Sequence, residues 1–312
     1  MAEISSRRNG EMLRNLLQIL QEQPDGLPSR EALARLRAKI QLTDYEKGRF
    51  ENGALRFDQI VRFATVDASK AGWLLKQKGQ WIVTEQGRQA LAQFPDPDAF
   101  FKRAKELYRQ WRSSQPEGRA EERPEPAEVE AEKASEITFE QAEEQAWSEV
   151  EQYLRGMPPY DFQELVAALL RAMGYHVAWV APPGKDGGID ILAWGDPLGT
   201  RPPRIKVQVK RVGQNVSVEG LRSFMALLGD DDVGLFVTTS GFTKDAQEEA
   251  RTQEKRKVTL VDLERFFDLW VEHYGRLDEA ARRRFPLQPS YFLAPRHLSG
   301  PGKSDARPPR RR

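Results

Sequence analysis

The chain of 312 residues contains no cysteine. Disulfides, thiolate-held zinc, iron–sulfur clusters and a thiol nucleophile are excluded together, and the absence fits a reducing compartment. Histidine is nearly missing as well. His176, His273 and His297 are scattered, with none of the spacing of a metalloprotease helix. No apolar run approaches the ~20 residues that a membrane helix needs. The opening MAEISSRRNGEML lacks the apolar segment of a secretory leader. PPGKDGG is not a GK[ST] phosphate loop, and no GxSxG nucleophile pattern occurs. The expectation is a soluble, cytoplasmic protein with no membrane partner.

Net charge is also nearly absent, at +1, but the balance hides a division. Residues 1–112 hold 20 basic and 14 acidic side chains, residues 113–151 hold 3 basic and 13 acidic, and residues 296–312 hold 6 basic and 1 acidic. A basic front and a basic tail separated by an acidic strip point to a polyanionic partner. The strip carries enough negative charge to shield a basic surface until that partner arrives.

The strip also divides the chain. SSQPEGRAEERPEPAEVEAEKASE is rich in Glu, Pro and Ala and poor in large apolar side chains, so residues 113–137 are expected to be a flexible acidic linker. Residues 296–312, rich in Gly, Pro and Arg, are expected to be a disordered basic tail. Before the linker, residues 1–112 form a mainly helical domain. Leu13, Leu16, Leu17 and Leu20 make one helical stripe, Ser29 is a candidate cap for a second helix, and Phe57, Ile60, Val61, Ala64 and Ala68 line a third. GWLLKQKGQWIV then reads as a hairpin, and Thr84 caps a further helix. Three helices and a hairpin are the winged-helix order, in which one helix enters the major groove and a basic wing meets phosphate. Arg56, Gln59 and Arg62 on the third helix, with Lys76 and Lys78 on the hairpin, are the candidate DNA contacts.

The second domain, residues 138–295, opens with a long helix from Thr138 and continues in the order αβββαβαβα. VGLFVTTS is almost wholly apolar, as a central strand buried on both faces should be. IKVQVKR alternates strictly, which puts Lys206, Gln208 and Lys210 on one face. An adjacent antiparallel strand led in by Gly187 and Gly188 brings Asp190 to that pair. A carboxylate, an amide oxygen and the Val209 carbonyl are hard ligands suited to Mg²⁺, with Mn²⁺ as a substitute. Lys210 beside such an ion would orient water and offset charge on a phosphate. Glu164, on the preceding helix, offers a second carboxylate. Asp186 competes with Asp190 for the metal role but is better placed to fix the turn.

These segments resemble the Mrr family of restriction endonucleases, within the PD-(D/E)xK nuclease superfamily. YDFQELVAALLRAMGY, KDGGIDI, VQVKR and GLFVTTSGFTKDAQEEA carry the resemblance over residues 158–270, and KAGWLLKQKGQWIVTEQGRQAL resembles the winged-helix domain that accompanies this nuclease. The resemblance implies a restriction-endonuclease-like αβββαβ core with a mixed sheet flanked by helices. It implies Asp190 as a metal ligand, Lys210 as the motif lysine and Glu164 as the acidic residue of the first helix. Gln208 stands where the superfamily usually has Glu or Asp, which removes one negative charge from the metal site. The implied activity is Mg²⁺-dependent cleavage of foreign, often methylated, double-stranded DNA by a homodimer or higher oligomer. A DNA-binding protein with a weak or silent site, and a junction-selective nuclease, are the rival readings.

Overall fold

A computed structural model of the chain describes residues 4–50, 53–114, 126–184, 187–253 and 256–289. The chain divides into two compact units, with the division after Ser148.

The first unit is built from α1 (Ser6–Gln21), β1 (Leu27–Pro28), α2 (Ser29–Lys39), α3 (Asp44–Lys47), α4 (Arg56–Lys70), β2 (Leu74–Gln77), β3 (Gln80–Val83), α5 (Glu85–Gln93) and α6 (Pro97–Ser114). Its small antiparallel sheet has the order β1-β3-β2, so helices α1, α2 and α4 with a hairpin give the winged-helix arrangement. The expected stripe Leu13, Leu16, Leu17 and Leu20 is wholly buried, against Leu33, Leu36, Phe57, Val61 and Trp81. Burial of each large side chain is worth about 1.5–3 kcal/mol. Thr84 caps α5 by accepting from the Gly87 N–H at 3.0 Å. Ser29 does not cap α2: it is the first helical residue, and its hydroxyl is engaged elsewhere. Helix α6 is absent from the sequence reading, yet Phe100, Phe101, Ala104 and Tyr108 seat it in the core, with Phe100 4.7 Å from Trp73.

The expected linker is only partly supported. Residues 115–125 lie outside the described residues, but from Pro126 the chain is helical, in one helix, α7 (Pro126–Gly156), that absorbs the helix expected from Thr138. Residues 126–148 group with the first unit, so the expected boundary at residue 138 moves to residue 149. The composition is poor in apolar residues, as read, but the Glu-rich face of α7 meets cations supplied by distant residues.

The second unit continues with α8 (Pro159–Ala172), β4 (His176–Val180), β5 (Ile191–Trp194), β6 (Arg204–Lys210), α9 (Val218–Met225), β7 (Asp232–Thr238), α10 (Lys244–Thr252), β8 (Lys257–Val261), α11 (Leu263–Glu272) and α12 (Glu279–Arg284). The element order is the one expected up to α11, and α12 is additional. The sheet runs β4-β5-β6-β7-β8, antiparallel up to β6 and parallel from there. The apolar β7, expected to be central, is an inner strand paired on both edges, while β6 holds the middle. Phe162 of α8 and Phe266 of α11 meet at 5.1 Å, whereas Phe224, Phe236 and Phe242 pack with α9 and α10 in a separate cluster. Gly174, with φ 98°, ends α8. Among the described residues no helix is long and apolar enough to cross a membrane.

Candidate functional site

The polar face of β6 ends in a cluster. Ile205 and Val207 are buried, while Lys206, Gln208 and Lys210 are half-buried. In the parallel register Gln208 pairs with Phe236 and Lys210 with Thr238. Asp190 lies one residue before β5 and is 7 % exposed. Its N–H donates to the Val207 carbonyl at 2.8 Å, and its Oδ2 accepts from the Val209 N–H at 2.6 Å. The carboxylate therefore rests on the main chain between Gln208 and Lys210.

Gln208 Oε1 is buried and has no hydrogen-bond partner among the described residues. A buried, unsatisfied acceptor is costly, about 1–3 kcal/mol, and needs an explanation. Its amide nitrogen faces Gly188, where an added Cβ would stand 3.5 Å from Nε2 and 2.9 Å from Leu227 Cδ1. Gly188 has φ 86°, so the lead-in to the site needs glycine for backbone shape as well as space. Lys210 holds its ammonium over the Phe236 ring, 5.6 Å from the centroid, and makes no ion pair among the described residues. The oxygen donors, one carboxylate and one amide oxygen, are of the kind a hard divalent ion takes, and Lys210 lies two residues along the same face of β6.

Glu164 is half-buried and makes no hydrogen bond or ion pair among the described residues. The residue of α8 turned onto the Asp190 segment is Gln163, which sequence reasoning missed. Its Nε2 donates to the Ala181 carbonyl at 2.8 Å and to the Asp190 carbonyl at 3.4 Å. Ala181 N–H in turn donates to the Asp190 carbonyl at 2.8 Å. Gln163 thus ties together the ends of the two strands that hold Asp190. The only signal for it in sequence is a polar residue beside the apolar stripe Phe162, Leu165, Val166 and Leu169. Asp186 lies outside the described residues.

The TTSGFT run shapes the ground beside Lys210. Thr238 and Thr239 are buried, the Thr239 N–H donates to the Lys210 carbonyl at 3.2 Å, and Thr243 caps α10 through the Ala246 N–H.

The candidate DNA contacts of the first unit are mostly engaged. Arg62 is 4 % exposed, with Nη1 2.9 Å from Glu140 and Nη2 2.9 Å from Glu144. Lys76 pairs with Glu140 at 2.7 Å, and burial pushes its ammonium below the ordinary lysine range although Glu140 opposes this. Lys78 sits over Trp147, 5.6 Å from the ring centroid. Arg56 stacks on Tyr45 and Phe50, at 4.7 and 5.9 Å, and Gln59 is half-buried. Arg62 and Lys76 are thus covered by carboxylates of α7. A step of three along a helix takes Arg62 off the core face, but another helix covers it.

Comparison with known proteins follows these two units. A family model described as "Restriction endonuclease" matches residues 154–270, and one described as "Mrr N-terminal domain" matches residues 10–93. A curated relative, the "Type IV methyl-directed restriction enzyme EcoKMrr" of Escherichia coli (strain K12), is 32% identical over 151 residues. That match covers 46% of this chain and 48% of the relative, so the chain spans about half the length of the relative it matches. Among solved structures, "MspJI Restriction Endonuclease in Complex with 27-mer Oligonucleotide" aligns at 17% identity over 62% of this chain and 48% of that one, with a TM-score of 0.28, too low to support an argument. With both domains present in order, the chain belongs to the Mrr family of restriction endonucleases.

Proposed function

We propose that the chain is a DNA endonuclease that hydrolyses phosphodiester bonds of foreign or modified duplexes with a divalent metal. The observation that carries this reading is the cluster at the end of β6. There Asp190 Oδ2 accepts from the Val209 N–H, whose chain neighbours are Gln208, with a buried Oε1 that has no hydrogen-bond partner among the described residues, and Lys210, whose ammonium makes no ion pair among them. Asp190 and Gln208 would hold Mg²⁺ or Mn²⁺, which when bound supplies Lewis acidity and a more acidic water. Lys210 offsets the negative charge that grows on the phosphate and donates a hydrogen bond to the attacking water. The Val209 N–H fixes the rotation of the Asp190 carboxylate, and Gln163 holds the main chain behind it. Glu164, half-buried on α8, would offer a second carboxylate. The winged-helix unit brings the duplex. Two such centres are needed to cut both strands, which calls for a homodimer or a larger assembly. A methylated base as the trigger, and the cytoplasm as the place of action, come with the family.

A non-cleaving DNA-binding protein is the second reading. One observation favours it: among the described residues no three His, Cys, Asp or Glu gather into a metal-holding group. The ion would rest on one carboxylate and one amide.

Cleavage of methylated and unmethylated plasmid with Mg²⁺ or Mn²⁺, by the wild type and by Lys210→Ala, decides between them. Cutting that the variant loses, while it still shifts duplex on a gel, supports the enzyme. Duplex binding with no cutting by the wild type supports the second reading.

A further inference from the structure

Glu132, Glu136, Glu140 and Glu144 recur every four residues and so form one line along α7, rising about 6 Å per step. Each meets a cation of the first unit. Glu132 pairs with Arg112 at 3.0 Å and Glu136 with Lys70 at 3.4 Å. Glu140 holds Arg62 and Lys76 and accepts from Trp81 Nε1 at 2.7 Å. Glu144 holds Arg62 and Arg30, at 2.9 and 3.0 Å, and accepts from the Ser29 hydroxyl at 2.6 Å. The cationic groups come from α4, the first turn of α2, the hairpin and, for Arg112, the end of α6. The first three are the parts of a winged helix that face a duplex.

The contact is made by charge rather than by an apolar seam. Between residues 132 and 147 the fully buried side chains of α7 are Lys133, Ile137 and Glu144, two charged and one apolar. Ile137 packs with Val66 and Tyr108, and Lys133 pairs with Asp67 at 2.5 Å. Buried ion pairs return little net stability once desolvation is counted. A contact built from them can be exchanged for another polyanion that offers the same cations the same charge.

We propose that residues 132–147 of α7 occupy the duplex-binding face of the first unit as a phosphate surrogate, and that DNA binds there by displacing them. The inference rests on the reading of this unit as the DNA-binding one. It identifies the phosphate-binding set as Ser29, Arg30, Arg62, Lys70 and Lys76, of which only Arg62 and Lys76 were legible in sequence. It also places the shielding charge on an ordered helix that begins inside the expected linker and runs past its end.

Two variants of the full chain test this. A Cβ built on Gly79 lies 3.3 Å from Glu144 Cβ, and the chain has no other cysteine to compete, so Gly79→Cys/Glu144→Cys gives one disulfide across the contact. Oxidation should weaken binding to a short duplex by about 10-fold or more, and reduction should restore it. Glu136→Gln/Glu140→Gln/Glu144→Gln, checked for folding by its thermal transition, should bind about 10-fold tighter at low salt, and adding Arg62→Ala should remove the gain. Equal affinity of the oxidised and reduced forms would overturn the proposal. If plasmid is still bound and cut in that case, the endonuclease reading survives and the duplex lies on another face. If no form binds duplex, both fall together.

Discussion

Gln208 is the residue on which the chemistry of the site turns. An amide in place of a carboxylate leaves any bound ion with one formal negative charge fewer, so binding should be weak and demand a high metal concentration. Gln208→Glu should move the Mg²⁺ midpoint of cleavage several-fold lower, and Mg²⁺ should raise the thermal transition of that variant more than that of the wild type. If the variant neither binds metal more tightly nor cuts at lower Mg²⁺, the Asp190–Gln208 pair is not the ligand set. Gln163 gives a second test at this scale. Gln163→Leu fills the volume but leaves the Ala181 and Asp190 carbonyls without that donor, a loss of about 1–3 kcal/mol. Its cleavage rate should fall while duplex binding holds. A third test concerns Glu46, which is 2 % exposed and takes Arg8 through both carboxylate oxygens. Burial opposes its ionisation, but the hydrogen bonds from Arg8 and Thr43 outweigh burial and hold its pKa below the usual carboxylate value. Because the folded pKa is the lower one, the stabilisation is complete above the unfolded value near ~4.3 and fades as pH falls through the folded value. Glu46→Gln should therefore lower the melting temperature at pH 7 and flatten its fall below about pH 4.5.

At the scale of elements, caps and stripes were largely readable. Thr84 and Gly174 act where the residue pattern puts them, because capping is a local exchange between a side chain and nearby N–H or C=O groups. Thr243 caps α10 in the same way, and Thr243→Ala should destabilise the second unit by about 1 kcal/mol, measurable as a shift of the urea midpoint with an unchanged slope. Ser29 shows the limit of such reading. Its hydroxyl is spoken for by Glu144, 115 residues away, so no local rule finds its role. Helix α7 is the same case enlarged. Its composition reads as unstructured, and the partners of its carboxylates, Arg30, Arg62, Lys70, Lys76 and Arg112, are scattered along the preceding chain.

At the scale of the whole molecule the charge division sets how the protein should meet DNA. The stretch 296–312 adds a net charge of +5, and its removal should flatten the dependence of duplex affinity on salt by up to about 4 in logarithmic slope. An unchanged slope would mean that the tail makes no phosphate contact. The acidic strip acts in the opposite sense, because every carboxylate it lays on a cation is one phosphate contact withheld.

The sequence alone determined the order of elements from α8 to α11, the inner place of β7, the pairing of the Asp190 segment with the Gln208–Lys210 strand and the family resemblance. Periodicity and motif spacing are properties of neighbouring residues and survive without coordinates. Tertiary structure decided that Gln163 rather than Glu164 turns onto the Asp190 segment. Adjacent helical residues differ by about 100° in direction, and only the packed rotation of α8 selects between them. It also decided that Arg62 and Lys76 lie beneath an acidic helix. Which cation meets which carboxylate across some 80 residues is fixed by the folded path of the chain, not by any pattern along it.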